Sequence, residues 1–261
     1  MTHPRSSVLR SLLVVSFVLV FAGCHRGVIK PRAPRTLRVL TYNIHHGEGT
    51  DEVFDLERLA KVINDLSPDI VALQEVDNRT DRASGVDQAA VLGTLCQMHH
   101  AFGQAMPYSN GQYGEAILSR FPIEKTLVHP LPYATGQEPR SALQAHLDAP
   151  GIGPIIFVGT HLCHQSNETR VQQNKRLNQL LARQNGPPVI LAGDFNARPG
   201  SDPMNALLEN GWVDTIAPRS RIDYVLIRAA DPWRVKDVVI VDEPVASDHD
   251  PVLAILEWQG E

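Results

Sequence analysis

An apolar run that ends in two polar side chains constrains this chain more than any other stretch. Residues 189–192 are apolar and predict a buried strand, and Gly193-Asp194-Phe195-Asn196 follows at once. Side chains alternate between the two faces of a strand, so we expect Asp194 and Asn196 to point the same way. A carboxylate and an amide at the end of a buried strand suit a site for a charged group. An ordinary Asx turn is the alternative.

Strand and helix patterns alternate over most of the chain. Nine apolar or alternating runs predict strands, and four stretches with apolar residues at helical spacing predict helices. Some strands are separated by helices and others follow one another directly, which predicts an α/β domain of mixed sheets covered by helices. The predicted strands are residues 37–42, 69–76, 114–123, 141–147, 155–162, 189–192, 221–227, 235–241 and 252–258, and the predicted helices are 54–66, 86–99, 169–184 and 203–209.

Residues 1–23 have the form of a bacterial secretory signal. Arg5 and Arg10 precede a short apolar stretch, and Ala22-Gly23-Cys24 resembles the cleavage site of a lipoprotein. We therefore expect cleavage before Cys24 and lipid attachment to its thiol. The mature protein would be exported and anchored in the cell envelope, on its periplasmic or extracellular face. Secretion without an anchor is the alternative.

Residues 24–36 predict a flexible tether, because two prolines and four Lys or Arg residues argue against a packed element. The tether either lies near anionic headgroups or is a plain solvated linker. We expect residues 37–259 to form one domain, and we expect it to be monomeric. The net charge of −5 disfavours a duplex DNA partner, since proteins that bind DNA usually present a basic surface.

Several predicted strands end in, or carry, groups that suit metal binding or proton transfer, and two more such groups precede the last strand. Carboxylate and amide oxygens are the ligands of Mg²⁺ or Mn²⁺ rather than of zinc. His161-Leu162-Cys163-His164 offers a zinc site as a weaker alternative, because no second ligand cluster accompanies it. The groups in question are Asn43, Glu75, His161, Asp194, Asn196, Asp223, Asp248 and His249.

Seven short motifs follow one another between residues 37 and 258. They are Tyr42-Asn43-Ile44, Leu73-Gln74-Glu75-Val76, Ala116-Ile117-Leu118-Ser119, Gly159-Thr160-His161-Leu162, Gly193-Asp194-Phe195-Asn196, Arg221-Ile222-Asp223-Tyr224 and Ser247-Asp248-His249. Together they resemble the endonuclease/exonuclease/phosphatase superfamily, which includes pancreatic deoxyribonuclease, apurinic endonucleases, sphingomyelinases and inositol phosphatases. The resemblance implies a four-layer α/β/β/α sandwich of two mixed β-sheets flanked by helices. It also implies hydrolysis of a phosphoester by a metal-activated water.

The resemblance assigns roles to the oxygen-bearing side chains of these motifs. Glu75 would bind the divalent metal with Asn43 beside it, and Asp248 would lie close to the metal. Asp194 would orient or deprotonate the attacking water. Asn196 would hold a phosphate oxygen.

The two histidines are assigned in the same way. His249 would contact the phosphate or transfer a proton, with Asp223 fixing its tautomer. His161 matches the second active-site histidine of the deoxyribonuclease branch. A histidine held by a carboxylate can supply a proton near neutral pH.

Some positions depart from the family pattern. Glu115 stands where relatives often carry asparagine, so it would either repel phosphate or bind metal. His45 stands where some relatives have an aspartate ligand. Arg79, Arg82 and Arg140 are candidate phosphate clamps, and solvated surface arginines are the alternative.

These observations predict an exported phosphodiesterase or phosphatase that depends on Mg²⁺ or Mn²⁺, with Ca²⁺ a further possibility. The stretch between Asn196 and Arg221 is short and leaves little room for a DNA-gripping insertion. A lipid headgroup or another small phosphoester is therefore the favoured substrate. An extracellular endonuclease and an inactive binding module of the same fold are the alternatives.

Overall fold

The computed structural model describes Met1 and residues 35–182, 186–216 and 221–260. Apart from Met1 and the last two tether residues, the predicted signal segment, Cys24 and the tether lie outside the described residues. No helix within the described part of the chain is long and apolar enough to cross a membrane.

The described residues contain twelve strands, four α-helices and one short 3-10 helix, His45–Gly47. The strands are β1 (Thr36–Asn43), β2 (Ile70–Asn78), β3 (His99–Tyr108), β4 (Gly111–Ser119), β5 (Ile123–Pro130), β6 (Ser141–Ala149), β7 (Gly153–His161), β8 (Val189–Asp194), β9 (Trp212–Asp214), β10 (Asp223–Arg228), β11 (Trp233–Ile240) and β12 (Val252–Trp258). The helices are α1 (Leu56–Leu66), α2 (Gln88–Cys96), α3 (Asn167–Leu181) and α4 (Asp202–Leu208).

The strands form two mixed sheets of six strands each. The first has the order β11-β12-β1-β2-β4-β3, and the second has the order β5-β6-β7-β8-β10-β9. Within the first sheet β1 and β2 run parallel, and within the second β7 and β8 run parallel. The other described pairs are antiparallel.

The two sheets pack face to face and carry helices on their outer faces. Val39 belongs to a buried cluster shared by both sheets, whereas its neighbour Leu40 belongs to a cluster shared with α1 and α2. The outer face of the second sheet packs on α3 and α4 through residues such as Leu177 and Met204. Strand alternation sends consecutive apolar side chains into different layers, so both faces of each sheet are buried. The predicted four-layer α/β/β/α sandwich is confirmed.

The strands that the sequence did not predict are all at sheet edges. They are β3, β5 and β9. Most residues of β5 are exposed and β3 is buried at only one position, so neither has the apolar alternation that marks an inner strand. The predicted helix over 86–99 was too long. Helix α2 ends at Cys96 because Gln97 adopts a left-handed conformation, with φ 55°, and the chain then enters β3.

Strand pairing brings the motif residues to one edge of the sandwich. The parallel pair β7–β8 places His161 opposite Asp194, and the antiparallel pair β8–β10 places Asp223 opposite the same Asp194. In the first sheet the parallel pair β1–β2 places Asn43 opposite the residue before Glu75. The two sheets therefore present these groups at the same edge.

Candidate active site

Asn43 joins the two sheets at the centre of the site. Its Nδ2 donates to Glu75 Oε1 at 3.0 Å and to Asp194 Oδ2 at 3.3 Å. The backbone N–H of His45 donates to Asn43 Oδ1 at 3.1 Å, which fixes the amide with its nitrogen towards the two carboxylates. The buried Asn43 thus holds one carboxylate from each sheet at a single point.

A bulge directs Glu75 into the site. The pairing of β2 with β4 shifts between Leu73 and Val76, and Glu75 within this bulge has a φ of 58°. A left-handed conformation is uncommon for a residue with a side chain, and bulges frequently re-aim a side chain beside an active site. The conformation of Glu75 is therefore explained by the position that its carboxylate takes beside Asn43.

Asp194 is almost completely buried, with 1% of its surface exposed. The backbone N–H of Asn196 donates to Asp194 Oδ1 at 2.8 Å, so the Asx turn considered as an alternative is present within the site itself. Burial raises the pKa of Asp194 to about 7, and the charge of Asp223 adds to this effect. Asp194 can therefore exchange a proton near neutral pH.

His249 and Asp223 form a hydrogen-bonded pair. His249 Nδ1 donates to Asp223 Oδ2 at 3.0 Å, and His249 Nε2 lies 3.8 Å from Asp194 Oδ2. Burial opposes the charged imidazole, but the hydrogen bond and charge of Asp223 prevail and raise the pKa of His249 to about 9. Burial also raises the pKa of Asp223. His249 therefore carries a proton at neutral pH and aims Nε2 towards the centre of the site.

His161 differs from His249 in its partner. Arg140 Nη1 donates to His161 Nδ1 at 3.2 Å, and an arginine can only donate. His161 must therefore accept at Nδ1 and carry its proton on Nε2, which lies 3.4 Å from Asp194 Oδ2. Burial and the charge of Arg140 hold the pKa of His161 well below its usual range. Asn196 Nδ2 donates to the Leu162 carbonyl oxygen at 3.0 Å, and its 3.0 Å contact with the protonated Nε2 joins two donors and is not a hydrogen bond.

Two overlapping groups of side chains could hold a cation. Ligand atoms of Asp194, Asp223 and His249 lie within 4.8 Å of one another, and they are the only such group of His, Cys, Asp and Glu among the described residues. Metal ligands must be deprotonated, so an ion bound there would have to displace the proton of His249, whose pKa is raised to about 9. Glu75 and Asp194 offer carboxylate oxygens instead, the kind of donor that Mg²⁺ and Mn²⁺ prefer, and the Asn43 Nδ2 contacts both carboxylates.

Three further candidate residues are Asp248, Arg79 and Glu115. Asp248 is exposed and next to His249, and Arg79 has a left-handed backbone, with φ 59°, directly after β2. Glu115 is fully buried and accepts a hydrogen bond from Ser141 Oγ at 2.8 Å. Burial raises the pKa of Glu115 to about 8, so this carboxyl is protonated at neutral pH. Cys163 is a buried free thiol, and among the described residues it belongs to no converging group of His, Cys, Asp and Glu, so the zinc alternative gains no support.

A small cavity of about 180 Å³ lies beside Glu75 and Arg140. It is lined by Glu75, Arg82, Met106, Tyr108, Tyr113, Glu138, Arg140 and His164. A second cavity, of about 260 Å³, lies on the His249 side of the centre. It is lined by Arg221, Ile222, Asp223, Ile240, Asp248, His249, Asp250 and Val252. The reacting groups thus stand between two hollows, and both hollows include charged side chains.

Sequence reasoning missed several residues that complete the site. Glu138 Oε2 accepts from Arg140 Nη2 at 2.7 Å, and Tyr113 OH accepts from Arg140 Nη1 at 3.3 Å. Ser247 Oγ donates to the carbonyl oxygen of Asn43 at 2.7 Å and ties the His249 loop to β1. Ser247 belongs to the Ser247-Asp248-His249 motif, and its position there could have identified it as a site residue. For Glu138 and Tyr113 the sequence offered only their closeness along the chain to motif residues.

Comparison with known proteins identifies the family. The model of the Endonuclease/Exonuclease/phosphatase family matches residues 40–249. This range includes every site residue except Asp250 and Val252 of the second cavity. The chain belongs to the endonuclease/exonuclease/phosphatase family. Members of this family are generally hydrolases of phosphoesters and typically depend on a divalent metal.

The chain is also similar to individual proteins and solved structures. The chain is 29% identical over 170 residues to the uncharacterized protein YbhP of Escherichia coli K12, across 62% of this chain and 67% of that protein. Its fold matches the crystal structure of an endonuclease/exonuclease/phosphatase from Beutenbergia cavernae at 27% identity and a TM-score of 0.72, across 87% of this chain and 72% of the other. It also matches a mannosyl-6-phosphatase from Bacteroides thetaiotaomicron at 20% identity and a TM-score of 0.69, across 85% of this chain and 100% of the other. The last similarity shows the fold alone.

Proposed function

We propose that this family member is a divalent-metal-dependent hydrolase of a small phosphoester, with Asp194 and His249 as its proton-transfer pair. The observation that supports this most is that a carboxylate able to accept a proton and a histidine able to donate one lie side by side. His249 Nε2 lies 3.8 Å from Asp194 Oδ2. The pKa values of about 7 for Asp194 and about 9 for His249 make one a base and the other an acid in the same pH range.

Each of these residues has its own role in hydrolysis. Asp194, above its pKa, orients a water and accepts its proton as the water oxygen bonds to phosphorus. His249, held by Asp223, either stabilises the charge on a phosphoryl oxygen or gives its proton to the departing alkoxide. The Nε2–H of His161 and the side chain of Asn196 are the neutral donors for phosphoryl oxygens.

Glu75, with Asn43 and Asp194 beside it, would hold the divalent cation. When bound there, the cation neutralises negative charge that develops on the phosphoryl oxygens. The fit rests on two carboxylates, Glu75 and Asp194, that converge on the Asn43 amide nitrogen. Mg²⁺ or Mn²⁺ matches these donors, and Ca²⁺ is a further candidate.

A lipid headgroup or another small phosphoester is the proposed substrate class. The net charge of −5 supports this choice, because long nucleic acids are drawn to basic surfaces. Hydrolysis of soluble phosphomonoesters, phosphocholine esters and supercoiled plasmid should be compared with excess Mg²⁺ and with a chelator. We expect chelator-sensitive hydrolysis of a small ester. Rapid nicking of plasmid without hydrolysis of any small ester would instead identify an endonuclease, and no hydrolysis at all would indicate a binding module.

We further propose that the protein acts from the bacterial cell envelope, anchored through lipid on Cys24. The support is the sequence of residues 1–23 and the Ala22-Gly23-Cys24 triplet. Membrane fractionation should find the wild type with the membranes and Cys24→Ser in the soluble or unprocessed fraction. Equal membrane retention of mature Cys24→Ser would rule out the lipid anchor.

A further inference from the structure

We propose that the cavity beside Glu75 and Arg140 binds the alcohol part of the substrate, and that this part is uncharged and rich in hydroxyl groups. This inference rests on the proposed hydrolase function, which it deepens by assigning a substrate class to the site. The group recognised is a single sugar or cyclic polyol, carried either by a free phosphate ester or by a lipid headgroup.

The cavity is connected to the reacting groups through two of its own lining residues. Glu75 shares the Asn43 amide with Asp194, and Arg140 donates to His161. A phosphoester bound with its phosphoryl group near Asp194 can therefore place its alcohol part directly in the cavity. The rest of the lining belongs to β3, β4, and the loops after β2, β5 and β7.

The size of the cavity limits what can enter. Its volume is about 180 Å³. Pockets that hold drug-sized ligands run to roughly 300–1,000 Å³. A group of about one ring fills this volume, whereas a nucleotide base with its ribose, a duplex or an acyl chain would extend out of it.

The charges of the lining are balanced within the protein. Arg82 makes two hydrogen bonds to the buried Asp77, from Nε at 2.6 Å and from Nη2 at 2.9 Å. Arg140 pairs with Glu138 at 2.7 Å, and Glu75 adds a further negative charge. A second phosphate group would meet two arginines that already have carboxylate partners. A neutral ligand avoids that cost, because it leaves these ion pairs intact.

The lining combines ring surfaces with charged hydrogen-bonding groups at the rim. Arg82 lies 4.5 Å from the centre of the Tyr108 ring, and the Tyr108 and Tyr113 rings are 6.1 Å apart. Glu138 and His164 expose 43% and 48% of their side chains. Ring surfaces suit the C–H faces of a sugar, and carboxylate and guanidinium groups accept from and donate to its hydroxyls. An alkyl chain would leave these polar groups desolvated without partners.

The second cavity argues against a long anionic substrate. Asp223, Asp248 and Asp250 line it together with His249 and with Arg221, whose guanidinium is paired with Asp214. A substituent that continues as a phosphate chain would pass these carboxylates. Like charges at close range disfavour that path, so the charge pattern on both sides of the centre favours one small neutral alcohol.

The first test compares esters that differ only in their alcohol part. The probes are glucose 6-phosphate, glucose 1,6-bisphosphate and octyl phosphate, assayed for phosphate release with excess Mg²⁺. We expect kcat/KM for glucose 6-phosphate to exceed the other two at least tenfold. An equal or higher value for octyl phosphate or for the bisphosphate would overturn the proposal.

The second test assigns the preference to the cavity. Tyr108→Ala and Glu138→Gln should each lower the ratio of kcat/KM for glucose 6-phosphate over octyl phosphate at least fivefold, mainly through KM. Tyr133→Ala and Glu168→Gln are matched controls, since both residues are exposed and line a different hollow. An unchanged ratio in both cavity variants would overturn the assignment.

Two further measurements are needed. One decides whether the group comes from a lipid headgroup or from a free ester, and the other tests the cavity even if the hydrolase proposal fails. Faster hydrolysis of phosphatidylinositol vesicles than of glucose 6-phosphate identifies a lipid headgroup, and the reverse identifies a free ester. If no ester is hydrolysed, saturation-transfer NMR with methyl glucoside and metal-free protein still tests the cavity. Signal in the wild type that Tyr108→Ala loses supports the proposal, and no signal in the wild type contradicts it.

Discussion

Arg140 donates a hydrogen bond from Nη1 to Nδ1 of His161 across 3.2 Å. This contact makes His161 a neutral donor through Nε2, because the guanidinium has no lone pair to offer and its charge opposes protonation. His249 has a carboxylate in the equivalent place, and its pKa is raised to about 9. The two histidines therefore have different roles, although the sequence indicated both as active-site residues.

The first prediction follows from this difference. His249→Gln should lower kcat roughly 10²–10⁴-fold, the usual contribution of a positioned acid or base. His161→Gln should cost less, because glutamine still offers a neutral N–H. His99→Gln is the control, since His99 is exposed at the start of β3. Equal losses in His161→Gln and His249→Gln, measured as kcat at neutral pH, would contradict the division of roles.

The second prediction concerns the pH dependence of kcat/KM. Asp194 must be ionised, so activity rises as pH passes its pKa of about 7, and His249 must be protonated, so activity falls as pH passes its pKa of about 9. More Mg²⁺ should move the acidic limb to lower pH, because a cation favours the ionised carboxylate. The alkaline limb should be absent in His249→Gln. If that variant keeps the limb, another group is responsible for it.

The third prediction concerns stability through Glu115. Burial raises the pKa of Glu115 from 4.5 to about 8. Between these values the folded protein binds more protons than the unfolded chain, so this residue lowers the free energy of unfolding as pH rises. One pKa unit corresponds to about 1.4 kcal/mol, which makes the effect a few kcal/mol.

Glu115→Gln removes this titration and keeps an oxygen for Ser141. The variant should therefore gain stability relative to wild type on going from pH 4.5 to pH 8, by roughly 2 kcal/mol or more in denaturant unfolding. Glu124→Gln, at an exposed position on β5, should show no such gain. The same difference between wild type and Glu115→Gln at both pH values would show that Glu115 is ionised in the folded protein.

The fourth prediction locates the metal. Glu75→Gln should raise the Mg²⁺ concentration for half-maximal activity, and the Kd for Mn²⁺ by titration, at least about tenfold. His249→Gln should lower kcat with little change in Mn²⁺ affinity. The opposite pattern, weak Mn²⁺ binding only in His249→Gln, would place the ion among Asp194, Asp223 and His249.

The inner strands and the central residues of the site could be predicted from the sequence, and the edges could not. Val189–Asp194 is buried along its whole length, and its apolar run marks both the strand and the polar pair that follows. Edge strands such as β3 and β5 have one solvated face and mixed side chains, so their sequences resemble loops. Because β3 was not predicted, the sequence did not show that Tyr108 lines a cavity.

Contacts between side chains of distant motifs also needed the structure. The sequence places Arg140 in a list of possible phosphate clamps, but only the fold shows that Glu138, Tyr113 and His161 surround it. Likewise the sequence shows a carboxylate at Glu115, and its protonated state depends on complete burial. Residue type and order indicated the chemistry, whereas protonation states depend on burial and on neighbours far apart in the chain.

The most direct measurement of the central claim is release of phosphate from a small phosphomonoester by wild type and Asp194→Asn with excess Mg²⁺ at neutral pH. Asparagine has the same shape as aspartate and still contacts Asn43, but it cannot accept a proton from water. Asp148→Asn, at an exposed position on β6, is the matched control. The account predicts chelator-sensitive release in wild type and in Asp148→Asn, and a loss of at least about 10²-fold in Asp194→Asn. Release by Asp194→Asn at the wild-type rate would contradict it.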